Sequence, residues 1–185
     1  MEAKCIRCFK PFEFSGRGRP QKYCSVACKQ AAYRERNGLV GFPAEMRFRN
    51  QWVRRRGKVP LQVSGGNASS TSPGTWASFD AVSASRVGDG LGIMLGNGLG
   101  CLDLDHCIDA GGVVAPWALA AIAKTENIVF IEVSLSGDGL HVFRLCPEAS
   151  GRRFPQVGGG AIEVYSRARF IACTGNVWRG WHCGS

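Results

Sequence analysis

The sequence lacks any long hydrophobic segment. Its longest apolar stretch, Val113 to Ala123, is far shorter than the ~20 residues that a membrane-spanning helix needs. The N-terminus, Met-Glu-Ala-Lys-Cys, also lacks the apolar region of a secretion signal. These absences argue against a membrane protein and against a secreted one, and they predict a soluble, intracellular protein.

Acidic residues are scarce in the first third of the chain. Residues 1–58 contain 15 Lys and Arg against 4 Asp and Glu, a net charge of +11. Residues 59–185 contain 8 against 10, a net charge of −2, so the overall +9 belongs to the N-terminal third. Solubilising charge is more often mixed in sign. A basic segment of this kind indicates a nucleic-acid partner.

The nine cysteines are odd in number and have no secretion signal, which favours thiols and zinc over disulfides. Two close pairs, Cys5 with Cys8 and Cys24 with Cys28, have the spacing of a tetrahedral zinc site. The polar segment 15–20 between the pairs is too short to build a core, so folding should depend on the metal. Four thiolates leave no open coordination position, and we therefore predict a structural zinc.

A short basic helix is predicted directly after the second cysteine pair, over residues 29–37. The Tyr23-Cys24-Ser25 turn resembles that of treble-clef-like zinc fingers, which bind nucleic acid or other proteins. Basic residues favour contact with phosphates, and those of this region are Arg17, Arg19, Lys22, Lys29, Arg34 and Arg36. Protein docking remains the alternative for this module.

Two aspartates lie two residues apart in a predicted strand over residues 100–105. Because strand side chains alternate, Asp103 and Asp105 share one face while Leu102 and Leu104 point into a core on the other. Two like charges side by side repel each other unless a cation lies between them. Mg²⁺ and Mn²⁺ prefer such oxygen ligands. A solvated edge strand with two incidental acids is the alternative.

Two further polar residues interrupt apolar strands. Glu163 lies between β-branched neighbours, where an acid is costly unless it is exposed, paired or bound to metal. His141 follows a glycine-rich turn, in which Gly137 and Gly139 allow the backbone to approach a phosphate closely. Each residue taken alone is more often an ordinary strand residue than a catalytic one.

The rest of the pattern combines strands with few helices. Strands are predicted over residues 91–95, 101–105, 128–133, 140–145, 161–165 and 169–173, and a helix over 116–124. Gly96-Asn97-Gly98 predicts a hairpin between the first two strands, and the last two strands are also predicted to pair. Adjacent antiparallel pairs favour an α+β fold over a doubly wound sheet.

The acid pair, the glycine-rich turn ending in histidine and the later acid occur in the order of three family motifs. The sequence resembles the archaeo-eukaryotic primase superfamily, in particular the primase–polymerase domains of phages and mobile elements. Its motifs are an hhhDhD/E strand, an s-x-H turn and an h-D/E strand, here at residues 100–105, 136–141 and 162–163. Gly139 departs from the serine of the second motif, as in the relaxed S-G-x-G-x-H form of related phage proteins. The similarity covers roughly residues 50–178.

The resemblance implies an α+β protein with an RNA-recognition-motif-like antiparallel catalytic core, preceded by the treble-clef-like zinc module. The expected divisions are a zinc module at 1–37, a linker at 38–49, a catalytic domain at 50–178 and a tail at 179–185. The expected activity is template-directed nucleotide addition in DNA replication of a phage, prophage or mobile element. Its partners would be single-stranded DNA template, NTP or dNTP and a replicative helicase, in the cytoplasm of a bacterial host.

The resemblance also implies roles for individual residues. Nucleotide joining needs two divalent metals, and the expected magnesium or manganese ligands are Asp103, Asp105 and Glu163. The expected contacts to the triphosphate are His141, Ser136, Gly137 and Gly139, with Lys58 and Arg169 as further phosphate contacts. Zinc would be held by Cys5, Cys8, Cys24 and Cys28.

Three other functions remain open from the sequence. The first is a non-catalytic nucleic-acid-binding protein, a zinc finger beside a degenerate or truncated polymerase core. The second is a metal-dependent nuclease, which has no obvious need for the glycine-rich turn and histidine. The third is a zinc-stabilised protein adaptor, for which a neutral finger would be expected.

Overall fold

A computed structural model of the protein describes residues 2–5, 11–13, 21–26, 28–29 and 41–180. The chain divides into two compact units, Met1–Gly41 and Phe42–Ser185. In the first unit, strand β1 (Glu2–Lys4) pairs antiparallel with β2 (Pro11–Glu13). The predicted division into a zinc module, a linker, a catalytic domain and a tail remains a prediction.

The second unit combines two antiparallel sheets with short helices. Its elements are α1 (Ala44–Arg47), β3 (Trp52–Arg56), β4 (Val59–Leu61), α2 (Phe79–Ala84), β5 (Gly90–Met94), β6 (Leu99–Asp105), α3 (Pro116–Ala123), β7 (Ile128–Val133), β8 (Leu140–Leu145), β9 (Arg152–Pro155), β10 (Ala161–Tyr165) and β11 (Phe170–Cys173), with 3₁₀ turns at Pro73–Thr75 and Val157–Gly159. One sheet has the order β7-β8-β6-β10-β9 and the other β11-β5-β3-β4. The predicted α+β class is confirmed.

The five-stranded sheet places β6 at its centre. Helix α3 connects β6 to β7, and β8 then returns between these two strands, which makes a split β-α-β arrangement. Strand β10 pairs with the other side of β6. The segments that carry the three predicted motifs, β6, β8 and β10, are therefore direct neighbours in one sheet.

Two predicted strand pairings are wrong. The Gly96-Asn97-Gly98 turn is closed by an isolated bridge between Gly96 and Leu99, but β5 and β6 then enter different sheets. Likewise β10 pairs with β6 and β9, whereas β11 pairs with β5. Leu95 and Leu99, which flank the turn, are both buried between the sheets. Turn residues specify a local reversal, whereas burial of the flanking apolar residues selects the strand partner.

Separate apolar cores cover the two faces of the five-stranded sheet. Between the sheets, Cys101 and Phe143 pack in one cluster with Trp52 and other residues of the four-stranded sheet. On the opposite face, Leu102 and Leu104 belong to a second cluster with Ala118 and Ile122 of α3. Burying each large side chain contributes about 1.5–3 kcal/mol. The predicted alternation along β6 is confirmed, and it directs Asp103 and Asp105 toward the space between the sheets.

The start of the second unit is part of its core. Phe42 and Met46 are buried in the cluster between the sheets, and the Trp52 indole N–H donates a 3.0 Å hydrogen bond to the Met46 carbonyl. These residues lie inside the segment 38–49 that was expected to be a linker. In the parts of the chain that are described, no helix has both the length and the apolar character needed to cross a membrane.

Candidate active site

One register row crosses the five-stranded sheet and carries a titratable side chain on each strand. From β7 to β9 the row consists of Glu132, His141, Asp103, Glu163 and Arg153. Directly opposed residues of antiparallel strands point to the same face. All five side chains therefore share the face of the sheet that carries Cys101.

Three carboxylates meet near the middle of this row. Oxygen atoms of Asp103, Asp105 and Glu163 all lie within 4.8 Å of one another. Burial raises the pKa of Asp103, as do the charges of Asp105 and Glu163, while His141 and Arg169 oppose the shift. Like charges at this separation favour a bound cation, and the donor set suits a hard divalent metal.

His141 lies between the carboxylate cluster and a second acid. The side chain is buried, with Nδ1 3.0 Å from Glu132 Oε1 and Nε2 3.7 Å from Asp103 Oδ1. Burial lowers the pKa of His141, but the hydrogen bond and charge of Glu132, together with Asp103 and Asp105, outweigh it. The net pKa is above the ordinary histidine value, so the site favours a positively charged ring.

Glu163 is held by donors on the opposite side of the cluster. Arg153 Nε donates to Oε1 at 2.9 Å, and the Tyr165 hydroxyl donates to Oε2 at 2.7 Å. Arg169 Nη2 lies 3.6 Å from the same Oε2, and its guanidinium stacks 4.2 Å above the Tyr165 ring. The cation–π contact fixes Arg169 beside the carboxylates.

A cavity of about 450 Å³ opens beside the carboxylates. The five-stranded sheet contributes Asp103, Asp105 and His141 to its wall, and the other side is formed by Lys58, Pro60, Ser70 and residues 168–172, with residues 134–136 from the β7–β8 turn. A volume of this size accommodates a small-molecule ligand. Lys58, Arg169 and His141 supply cationic groups for an anionic ligand in this space.

The loop that follows β4 forms a defined part of the wall. The Ser69 carbonyl accepts a 2.7 Å hydrogen bond from the Trp76 indole, and Ser69 N–H donates to Thr75 Oγ1 at 3.0 Å. Ala68 N–H donates to the Pro60 carbonyl at 3.0 Å. These bonds tie the Gly- and Ser-rich segment back to β4 and place Ser70 at the cavity.

The predicted site residues do not all line the cavity. Those that do are Lys58, Asp103, Asp105, Ser136, His141 and Arg169. Gly137 and Gly139 are not among the lining residues, and Gly137 N–H donates to the Ser134 carbonyl at 3.1 Å. A Cβ at Gly139 would approach the Leu104 carbonyl oxygen to 2.8 Å. The need for glycine at 139 is therefore accounted for by packing of the turn against β6.

Sequence reasoning missed two members of the row, Glu132 and Arg153. Glu132 interrupts an apolar strand between Ile131 and Val133, the same signal that identified Glu163. Arg153 lies in β9, a strand that no periodic pattern in the sequence predicted. Its position opposite Glu163 follows from strand pairing alone.

The first unit contains a separate cluster of potential metal ligands. The sulfur atoms of Cys5, Cys24 and Cys28 lie within 4.8 Å of one another, with Cys24 and Cys28 Sγ 3.6 Å apart. Cys8, the fourth predicted ligand, lies outside the described residues. The thiol sulfurs that are described fit part of a tetrahedral zinc site.

The sequence is similar to a phage DNA primase-polymerase. No family model matches the chain. It is 34% identical over 143 residues to the DNA primase-polymerase of Nitratiruptor phage NrS-1, a match that covers 70% of this chain and 20% of that protein. The similarity supports the resemblance to the primase–polymerase family. The chain spans about a fifth of the length of this relative.

Proposed function

We propose that residues 50–178 form the catalytic domain of a metal-dependent nucleotidyltransferase of the primase–polymerase type. The observation that carries the proposal is the cluster of Asp103, Asp105 and Glu163 beside a cavity that also presents cationic side chains. Phosphoryl transfer depends on placing carboxylate-held metals and cations around a polyphosphate. The similarity to a phage DNA primase-polymerase supports the same activity.

The acidic cluster fits Mg²⁺ or Mn²⁺. Its ligands are carboxylate oxygens on adjacent strands, and the raised pKa of Asp103 reflects burial together with repulsion among the acids. When bound there, divalent ions would activate the attacking 3′-hydroxyl and stabilise the charge of the leaving pyrophosphate. The Tyr165 hydroxyl would keep Glu163 oriented toward the cluster.

The cations of the cavity would bind the incoming NTP or dNTP. His141, Lys58 and Arg169 face the same space, where they would hold the triphosphate, and Ser136 would offer a hydroxyl. The 3′-oxygen of the growing strand attacks the α-phosphorus as the bond to the bridging oxygen breaks and pyrophosphate leaves. We keep Gly137 and Gly139 in this proposal only as residues that shape the turn before His141.

The first unit would hold zinc and contact single-stranded template. Cys5, Cys24 and Cys28, with Cys8, would form a structural site, and the surplus of basic residues in this part of the chain suits DNA phosphates. A replicative helicase as partner and the cytoplasm of a bacterial host complete the proposal. Both follow from the resemblance to the family.

Primer extension on a single-stranded template tests the proposal. The purified chain is incubated with labelled primer, NTPs or dNTPs and Mg²⁺ or Mn²⁺, beside an Asp103→Ala/Asp105→Ala variant. We expect extension by the wild type and a loss of at least ~10³-fold in the variant. Asp80→Ala/Glu126→Ala removes the same charge from two exposed acids outside the cavity and should retain full activity.

Each alternative function has its own outcome. Absence of synthesis by the wild type with either metal, together with DNA binding, would contradict the proposal in favour of a non-catalytic binding protein. Cleavage of the DNA that depends on Asp103 and Asp105 would favour a nuclease. Equal activity of the wild type and the Asp103→Ala/Asp105→Ala variant would remove the carboxylates from the mechanism.

A further inference from the structure

Glu132 is an acid buried completely at one end of the register row. Its side chain is 0% exposed, although an isolated carboxylate in such a place is very costly. The cost is offset because both oxygens have partners. Oε2 accepts hydrogen bonds from Thr174 N–H at 3.0 Å and Gly175 N–H at 2.8 Å, and the Thr174 hydroxyl lies 3.2 Å away.

The contacts of Oε2 fix the orientation of the Glu132 carboxylate. Backbone N–H groups can only donate, so Oε2 is held as an acceptor by the segment that follows β11. Oε1 is thereby directed at His141 Nδ1, at 3.0 Å. Both oxygens of an ionised carboxylate can only accept, so Glu132 in this form requires the ring to carry a hydrogen on Nδ1. The second ring nitrogen, Nε2, is then directed toward Asp103 and the cavity.

We propose that Glu132 is a positioning residue that holds His141 with Nδ1–H bound to its carboxylate and Nε2 facing the triphosphate of the bound nucleotide. The proposal rests on the proposed function, because nucleotide is the ligand that Nε2 would contact. Glu132 lies outside the cavity wall and acts through His141. It also joins β7 to the residues that follow β11, so that one buried carboxylate connects the two sides of the cavity.

The alternative is that Glu132 only ties the two chain segments together. Glu132→Gln separates the two roles because it keeps the shape of the side chain. The amide oxygen of Gln must face the backbone donors of Thr174 and Gly175, since its NH₂ group cannot accept from them. The NH₂ group then faces Nδ1 of His141, which has to accept. The hydrogen of the neutral ring should therefore move from Nδ1 to Nε2.

The first readout is the tautomer of His141, which requires no catalysis. Ring ¹⁵N chemical shifts are measured by NMR at an alkaline pH at which the ring is neutral, with His141→Ala to assign the signals. We expect the Nδ1–H form in the wild type and the Nε2–H form in Glu132→Gln. Glu148→Gln is the matched control, because Glu148 accepts a 2.8 Å hydrogen bond from Asn97 N–H on an exposed part of the chain.

The second readout is nucleotide addition at varied nucleotide concentration. In Glu132→Gln we expect KM for the nucleotide to rise about tenfold with little change in kcat. Beside Glu132 the ring can carry hydrogens on both nitrogens and present a cationic Nε2–H to the triphosphate, whereas the Gln NH₂ group needs a bare Nδ1 and so keeps the ring neutral, which weakens this contact. A purely structural role would lower the active fraction, and hence kcat, without this split. In the His141→Ala background, Glu132→Gln should have no further effect on KM, because the residue acts through the histidine.

The possible results separate this proposal from the proposed function. An unchanged His141 tautomer in Glu132→Gln, or a KM effect that persists without His141, would overturn the positioning role. If the wild type adds no nucleotide, the proposed function fails, whereas the NMR measurement still decides whether Glu132 sets the tautomer of His141.

Discussion

The two candidate metal clusters of this protein differ in ligand chemistry and in surroundings. Cys5, Cys24 and Cys28 form a thiol cluster in the first unit, where Cys5 is buried and the other two are partly exposed. Asp103 and its neighbouring carboxylates belong to a sheet with an apolar core on each face. Soft thiolates suit a zinc ion that replaces a core, whereas hard carboxylates beside a cavity suit exchangeable metals that act on a ligand. From this difference we predict that metal is required for folding in the first unit and for chemistry in the second.

Loss of the thiol cluster should have the largest effect. We expect Cys24→Ser/Cys28→Ser to reduce zinc from about one ion per chain to none and to unfold the first unit, because metal binding supplies its folding free energy. Thermal unfolding of the second unit should be unchanged. Zinc content by mass spectrometry and amide NMR spectra measure the two effects.

Cys146→Ser is the control for this variant, since Cys146 is a thiol of the second unit outside the cluster. It should retain zinc and the spectrum of the first unit. Full zinc content in Cys24→Ser/Cys28→Ser would show that these cysteines do not hold the zinc, and the proposed difference between the two clusters would be wrong.

A neutral residue in the carboxylate cluster should stabilise the metal-free protein. Burial and neighbouring acids raise the pKa of Asp103, so its protonated form is favoured in the folded state. The resulting stability is present below the ordinary aspartate pKa and is lost as pH rises through the raised value. At neutral pH the ionised side chain therefore opposes folding, and Asp103→Asn removes this cost.

We expect Asp103→Asn to raise Tm at neutral pH in EDTA by about 2–4 °C, the scale of a ~1 kcal/mol change in a chain of this size. The gain should shrink as the pH falls toward 3, where the wild-type side chain is protonated, and nucleotide addition should be lost. Asp80→Asn, at an exposed position, should leave Tm unchanged. A lower Tm for Asp103→Asn at neutral pH would show that ionised Asp103 supports the fold.

Substitution of Arg153 should have the smallest effect. It tests whether the charge of this side chain opposes metal binding at the carboxylates. Its side chain is 59% exposed and donates to Glu163 at 2.9 Å. An ion pair this exposed contributes about 0.2–1 kcal/mol. Arg153→Met removes a cation that competes with metal for Glu163, and we expect Mn²⁺ to bind up to about fivefold more tightly by isothermal titration calorimetry.

Arg152→Met is a matched control, because Arg152 is the neighbouring residue of β9 and lies opposite Val164 on the other face of the sheet. It should leave Mn²⁺ affinity unchanged. Weaker Mn²⁺ binding by Arg153→Met would mean that Arg153 orients Glu163 for metal binding and does not compete with it.

Predictions that depend on neighbouring residues agree with the structure. The alternation of Leu102, Asp103 and Leu104 placed the leucines in a core and the acid on the opposite face. Strands β7, β8 and β10 have the predicted bounds. These features follow from the two-residue period of a strand, which residues close in sequence express by themselves.

Pairings and distant partners could not be predicted in the same way. The turn at residues 96–98 was recognised, yet β5 and β6 belong to different sheets. The glycine at 139 is explained by the close approach of β6, which no local motif shows. Arg153 lies at the site because β9 pairs with β10, and the sequence did not predict β9.

The sequence by itself determined the face on which Asp103 and Asp105 lie and the types of ligand available to each candidate metal. These properties depend on side-chain chemistry and on the period of a strand. Only the tertiary structure decided that Glu132, His141, Asp103, Glu163 and Arg153 form one row across the sheet. The physical reason is that register between strands distant in sequence is set by burial of both faces in separate cores, a property of the whole second unit.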